Sequence, residues 1–495
     1  MQYSFIMSEL ENYFSKFRNN IVGIDATFQS PIGQKPIVYA DWIASGRLYG
    51  PIEEKLTNVL GPFVGNTHTE TCETGTRMTH AYLWSHEYIK QHVNAASSDV
   101  ILTAGFGMTA VVNKFQRILG LKYCKKVSKG GCQMDRIRPV VFLTHMEHHS
   151  NQTSWYETNT DVVVLPPGEG LLVDPQILRK ELEKYKEREF KIGSFTACSN
   201  VTGIRTPIHE LARVMHEFGG VIFVDYAASA PYDTINMHPE DPMEKLDAVM
   251  FSPHKFLGGP GSSGVLVFDA SMYKSEAPDN PGGGTVDWTN PWGKYKYVDN
   301  IETREDGGTP GFMQSIKTAL CFQLKDQMGI DKIREREEEL LKIAFEGIDT
   351  IPEVIVLANE HRDRLGIISF YIEGVHYNLL VKLLNDLYGI QTRGGCACAG
   401  TYGHFLLEMQ EDQSDEITDK ITHGDLSVKP GWVRWSLHPT TTNSEVEIMI
   451  TALKDIVENL ETYQKDYEYD RHQNYYRHKN EMYDKDQIEE WLRLD

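Results

Sequence analysis

The sequence predicts an α/β protein in two parts: a large domain on a mostly parallel, seven-stranded sheet, then a smaller α+β domain. Three observations carry this expectation. Short apolar runs alternate with helix-spaced segments between about residues 99 and 268. Those runs are apolar almost throughout, as strands covered on both faces must be. After about residue 315 the texture changes, and a long charged amphipathic helix is followed by isolated strands.

The elements follow in chain order. VILT (100–103) reads as a buried strand, broken by Gly105-Phe106-Gly107, and MTAVVNKFQRIL (108–119) has helical spacing. PVVFLT (139–144), VVVL (162–165) and SFTAC (194–198) are further buried strands. Thr206-Pro207 reads as an N-cap with proline at the first helical position. Ile208, Leu211, Met215 and Phe218 share one helix face, and Gly219-Gly220 ends it. VIFVDYA (221–227), AVMFS (248–252) and GVLVF (264–268) complete seven strands. Repeated strand–helix–strand units imply right-handed crossovers, and ligands in such sheets bind at the carboxyl ends of strands.

In the second part, IREREEELLKIAFEGI (333–348) is a charged amphipathic helix. VIVLA (354–358), GIISFYIEG (366–374) and WVRWSL (432–437) read as strands, with the helix YNLLVKLLNDL (377–387) among them. Ser444-x-x-Glu447 reads as a capping box opening a helix to about Tyr463. The expected division is 1–45, an N-terminal segment joining the small domain; 46–315, the large domain; 316–463, the small one; and 464–495, a charged, Tyr-rich tail that reads as a solvated helix or a partly ordered segment. Residues 120–138 read as a surface insertion.

Composition narrows the function. A formal net charge of -21 disfavours nucleic acid and anionic membrane surfaces as partners. No apolar stretch approaches bilayer length, and the start lacks a secretion-signal pattern. Seven thinly spread cysteines argue against a disulfide framework and for a reducing compartment, hence a cytoplasmic protein.

Candidate chemistry collects where predicted strands end. Lys255, between His254 and a glycine-rich turn in FSPHKFLGGPG (251–261), would lose its proton readily in a desolvated bend. A neutral amine is what a Schiff base with an aldehyde cofactor requires, although a surface lysine on a glycine loop would read the same way. Asp225 ends an apolar strand and needs a cationic or proton-donating partner: an ordinary ion pair, or a protonated pyridine nitrogen. GFGMT (105–109) joins a strand to a helix, where backbone amides and the helix dipole suit a phosphate. The adjacent histidines of MEHHSN (146–151) have no carboxylate or cysteine at ligand spacing, so no metal site is expected.

These segments resemble the class V aminotransferases, the fold-type I pyridoxal-phosphate (PLP) group that contains cysteine desulfurases and selenocysteine lyases. YADWIASG (39–46), GNTHTE (65–70), MEHHSN, SNVTG (199–203), VDYAASAPY (224–232), FSPHKFLGGPG and GGTPG (307–311) follow the family's order, and the resemblance covers roughly residues 36–460. It implies that Lys255 carries PLP covalently, Asp225 pairs with the pyridine nitrogen and His148 stacks on the ring. Asn200 would contact the phenolic-oxygen side, while Gly107, Met108, Ser252 and His254 surround the phosphate. Thr309 would add to it from a neighbouring subunit, which implies a homodimer. One position departs: Ala228 stands where the family often has a glutamine facing the phenolic oxygen.

TRGGCACAGTYGH (392–404) decides the reaction. Cys398 falls on the desulfurases' nucleophilic cysteine, Arg393 matches an arginine of that loop, and the Cys-x-Cys is closer still to molybdenum cofactor sulfurases. Arg434 matches the arginine that grips a substrate carboxylate, a task its planar fork suits. The resemblance therefore implies a desulfurase that takes L-cysteine to alanine, leaves a persulfide on Cys398 and passes it to a sulfur acceptor, Cys396 being a candidate relay. The alternatives are an aminotransferase, epimerase or C–S lyase in which Cys396 and Cys398 are small loop residues, and a non-catalytic binding module.

Overall fold

The computed structural model of the protein describes residues 7–122, 138–481 and 485–494. Most of the expected insertion at 120–138, with Cys124 and Cys132, lies outside the described residues.

Seven strands form the central sheet: β1 (Asp99–Ala104), β2 (Val140–Leu143), β3 (Asp161–Val164), β4 (Lys191–Thr196), β5 (Val221–Asp225), β6 (Ala248–Phe251) and β7 (Gly264–Asp269). Their order is β1-β7-β6-β5-β4-β2-β3. β7 runs antiparallel to β1 and β6, and every other pair is parallel. All four residues of β2, and Ile222, Phe223 and Val224 of β5, are fully buried, which explains runs without polar alternation. Five parallel strands end on one edge, so the residues that follow them gather there.

Helices cover both faces, among them α1 (Glu73–His92), α2 (Met108–Ile118), α3 (His149–Tyr156) and α4 (Ile208–Glu217). The N-terminus of α4 corrects the expected cap. Pro207, not Thr206, occupies the N-cap position, and no side chain caps it.

The second part begins with α5 (Phe312–Met328) and α6 (Ile330–Ile348). Its sheet joins β8 (Val354–Val356), β9 (Ile367–Ile372), β10 (Arg393–Gly395) and β11 (Trp432–Ser436) in the order β8-β9-β11-β10, all antiparallel. The helices α7 (Tyr377–Tyr388) and α8 (Asn443–Tyr463) pack on it. Val38 and Tyr39, early in the chain, pair in parallel with Ile390 and Gln391. The capping box of α8 sits two residues earlier than expected. Thr442 Oγ1 accepts from the Glu445 amide at 3.1 Å, and Glu445 Oε2 accepts from the Thr442 amide at 2.9 Å.

The tail differs from expectation as well. Tyr467–Asp470 and Tyr475–His478 form an antiparallel hairpin. It lies along one face of α7: Asn378 donates to the Asn474 carbonyl at 2.6 Å, Lys382 pairs with Glu481 at 3.2 Å, and Tyr467 donates to Asp386 at 3.0 Å. Those helix positions recur every four residues, so one stripe of α7 holds the hairpin by polar contacts. Among the described residues no helix is long and apolar enough to cross a membrane.

Candidate active site

The carboxyl ends of β4, β5 and β6, the start of α2, the turn before α3 and the loop after β10 enclose a cavity of about 210 Å³. Its lining includes Met108, His148, Asn200, Asp225, Ser252, His254, Lys255, Arg393, Cys398 and Arg434. Sequence positions spread over more than 300 residues therefore meet in one place.

Lys255 follows β6 in a single helical turn, Pro253–Lys255. Burial is the first cause that pulls its amine down from 10.5 to about 8, opposed by the negative charge of Asp225. Burial conversely pushes Asp225 up from 3.8 to about 6. Among the described residues its carboxylate accepts one hydrogen bond, from the Ala227 amide at 2.8 Å. A carboxylate at 3% exposure with so little compensation is costly without a cationic partner. The N-terminal segment fixes the lysine turn from outside. The Gly46 amide donates to the His254 carbonyl at 2.9 Å, and a Cβ at Gly46 would lie 1.8 Å from the Phe256 oxygen.

At the other end of the cavity, Gly107 precedes α2 with extended backbone, and the Met108 amide donates to Ser252 Oγ at 2.8 Å. A Cβ at Gly107 would come within 2.9 Å of that hydroxyl, so only glycine leaves the cradle open. Ser252 retains its own hydroxyl proton to donate. His254 lines the same side, pulled down to about 4 mainly by burial and so neutral.

His148 is the N-cap of α3. Its Nδ1 accepts from the Ser150 amide at 3.1 Å, which leaves any ring proton of the neutral form on Nε2. Burial first, then the Lys255 charge, holds its pKa near 3. Beneath it, Glu147 is buried and pushed up to about 7, receiving Thr144 Oγ1 at 2.6 Å and the Thr196 amide at 3.0 Å. That carboxyl pins the ends of β2 and β4 together.

Two strands of the small sheet bring two arginines to the cavity. Arg434 on β11 donates to the Asn200 carbonyl at 3.0 Å and to Asp41 at 2.9 Å. Among the described residues its buried Nε has no hydrogen-bond partner. Arg393 on β10 reaches the other oxygen of Asp41 at 3.2 Å and is half exposed. Asn200 gives its amide to the Ala397 carbonyl at 2.7 Å, so here it ties the cysteine loop to the large domain.

Within that loop the two cysteines face different spaces. Cys398 is exposed and lines the 210 Å³ cavity. Cys396 is half-buried and lines a separate apolar pocket of about 160 Å³ with Leu407, Met409, Ile417 and Trp432. Thr309 is away from the cavity, exposed and 3.3 Å from Asn66 Oδ1. Sequence reasoning passed over Asp41, although it lies in the quoted YADWIASG, because the charge it serves is on distant strands. Ser150 and His149 were likewise within a quoted motif and given no role.

A desolvated lysine at a strand end, a buried carboxylate with no direct ion pair among the described residues and a glycine-opened amide cradle together fit PLP, and they define a fold-type I PLP enzyme. The family model for Aminotransferase class-V matches residues 38–449, so the chain belongs to that family and is a PLP-dependent enzyme. A probable cysteine desulfurase of Halalkalibacterium halodurans is 27% identical over 373 residues, spanning 74% of this chain and 85% of that protein. One of Halobacterium salinarum is 24% identical over 435 residues, spanning 86% and 92%. Two solved structures share the fold. The apo cysteine desulfurase of Thermococcus onnurineus superimposes with a TM-score of 0.72 at 20% identity, over 92% of this chain and 99% of that one. A cysteine desulfurase of Escherichia coli gives 0.68 at 21%, over 90% and 98%.

Proposed function

We propose that this enzyme is a cysteine desulfurase that converts L-cysteine to L-alanine and leaves the sulfur as a persulfide on Cys398. The observation that carries the reading is that Cys398 and Arg434 line the same cavity as Lys255 and Asp225. An aminotransferase needs the last three and has no use for a thiol there.

Bound PLP supplies an electron sink for carbanion chemistry at the substrate's α-carbon. The rest is the work of the chain. Lys255 would hold the cofactor's aldehyde, and its Nζ would take the α-proton of the substrate. A pKa near 8 suits that task. Asp225 would hold the pyridine proton, His148 would cover the ring, and Gly107, Met108, Ser252 and His254 would receive the phosphate. Arg434 would grip the α-carboxylate with the second N–H that Nη1 and Nη2 each keep, the first being anchored on Asn200 and Asp41. Arg393 adds positive charge at the entrance.

Cys398 thiolate attacks the substrate sulfur. The new S–S bond forms as the substrate C–S bond breaks, its electron pair stays with the carbon skeleton, and protonation completes alanine. A sulfur acceptor then takes the terminal sulfur. The reading includes a homodimer, because Thr309 is remote from its own subunit's cavity, and takes 46–315 as the cofactor-binding domain and 316–463 as the small domain.

The test is direct. PLP-loaded protein given L-cysteine should release alanine and gain one sulfur on Cys398. A transaminase would instead leave the cofactor as its amine form and yield a keto acid.

A further inference from the structure

The cysteine loop holds a backbone conformation that it does not choose for itself. Ala397 and Cys398 lie successively in the left-handed region, at φ of 51° and 57°. Only glycine occupies that region without a steric penalty. Strained backbone of this kind persists only where the surroundings over-determine it.

Three contacts do so from outside the loop. Asn200 takes the Ala397 carbonyl, as described. The other two come from one residue, His149, at the first position of α3. Its backbone amide donates to the Cys398 carbonyl at 2.8 Å, and its Nε2 accepts from the Gly400 amide at 2.9 Å. The residue spans the nucleophile, its backbone amide bonded at Cys398 and its ring bonded two residues on. One helical turn further, Gln152 and Thr401 exchange hydrogen bonds at 2.8 and 3.0 Å, so the same face of α3 continues the clamp. Gly400 is open for this approach, since a Cβ there would sit 3.1 Å from Nε2.

Nε2 must be unprotonated to accept from an amide. Burial, and then the charge of Lys429, lower the pKa of His149 and keep it so. The paired histidines thus divide their work. His148 faces the cofactor side of the cavity, and His149 faces the loop.

We propose that His149 is a positioning residue for the Cys398 nucleophile, holding the strained loop through an acceptor nitrogen on Gly400. The proposal rests on the desulfurase reading for its catalytic consequence, and its structural part can be read without it. It assigns His149 to sulfur transfer alone, leaving proton removal by Lys255 untouched.

The experiment compares full-length, PLP-loaded wild type with His149→Ala and His149→Gln, the glutamine keeping an acceptor oxygen near the Nε2 position. Three rates are read: persulfide formation on Cys398 with L-cysteine, deuterium exchange at the α-carbon of L-alanine, and amide exchange of the peptide containing Gly400. In His149→Ala, persulfide formation should fall roughly 100-fold, the effect of misplacing a reacting group. Gly400 exchange should rise about tenfold, the loss of one hydrogen bond. Exchange at the α-carbon should hold, and His149→Gln should restore the first two. Unchanged Gly400 exchange, or equal loss of persulfide formation and α-exchange, would overturn the proposal. Absence of persulfide in wild type would overturn the desulfurase reading instead, and the Gly400 rate would still decide whether His149 holds the loop.

Discussion

Arg393 and Arg434 are register partners on adjacent antiparallel strands, and the Asp41 carboxylate bridges them with one oxygen each, at 3.2 and 2.9 Å. Like charges directly opposed across a ladder repel. Asp41, brought in by the N-terminal segment, makes the pair tolerable and aims both at the cavity. Arg434 is nearly sealed from solvent, with 4% of its side chain exposed, whereas 53% of Arg393 is exposed.

The first prediction follows from that asymmetry. Asp41→Ala strands the buried Arg434 charge and should cost about 3 kcal/mol of stability, the usual penalty for breaking a buried pair. Arg393→Ala removes only a solvated partner and should cost less than about 1 kcal/mol. Urea unfolding of the two variants checks the difference. In turnover, Asp41→Ala should raise KM for L-cysteine, since Arg434 loses the anchor on Nη2.

Asp225 should show opposite effects on folding and on binding. Its folded pKa, about 6, lies above the ordinary 3.8, so between those values the folded state binds more protons than the unfolded one. Without cofactor, the stability that the protonated group contributes is present below about pH 3.8 and lost as pH rises through 6. Asp225→Asn should therefore make the cofactor-free protein more stable than wild type, by a margin that opens between pH 4 and 6 and then stays. The same variant should bind PLP weakly, because the pyridine proton has lost its carboxylate. Melting curves against pH, beside a PLP titration, test both halves.

The stability term from Lys255 runs the other way. With a folded pKa near 8 and an ordinary value of 10.5, the unfolded state binds more protons between those limits. The cofactor-free wild type should gain stability from this group as pH rises from about 8 to 10.5, and Lys255→Ala should lack that rise. Lys255→Ala should also fail to retain PLP covalently after borohydride reduction.

The two cysteines should separate cleanly. Cys398→Ala should abolish alanine release from L-cysteine, while Cys396→Ala should keep it within the same order of magnitude, since Cys396 faces the second pocket. Comparable loss in both variants would favour a relay through Cys396.

How much of this was legible in the sequence follows the physics of each element. The inner strands of the central sheet were visible because burial on both faces leaves unbroken apolar runs, as in Val140–Leu143, and the half-buried edge strand β3 because its Val162–Val164 run is apolar as well. The cap of α8 was misplaced because Thr442 and Ser444 are equally good caps by type, each with a glutamate three residues on. Which one serves is set by where β11 delivers the chain. The hairpin at Tyr467–His478 was invisible because only isolated tyrosines, Tyr467 and Tyr476, join the core, and polar contacts to α7 such as Tyr467 to Asp386 complete its hold. Most of the residues that line the cavity are legible because they sit at strand ends in motifs. Asp41 and His149 escaped because their partners, Arg434 and Gly400, lie hundreds of residues away.

The central claim is tested most directly by mixing the PLP-loaded protein with L-cysteine, quenching, and digesting for mass analysis. The account predicts alanine in the supernatant and a single added sulfur on the peptide carrying Cys398, absent from Cys398→Ala. Alanine without that mass shift, or turnover that survives loss of Cys398, would contradict it.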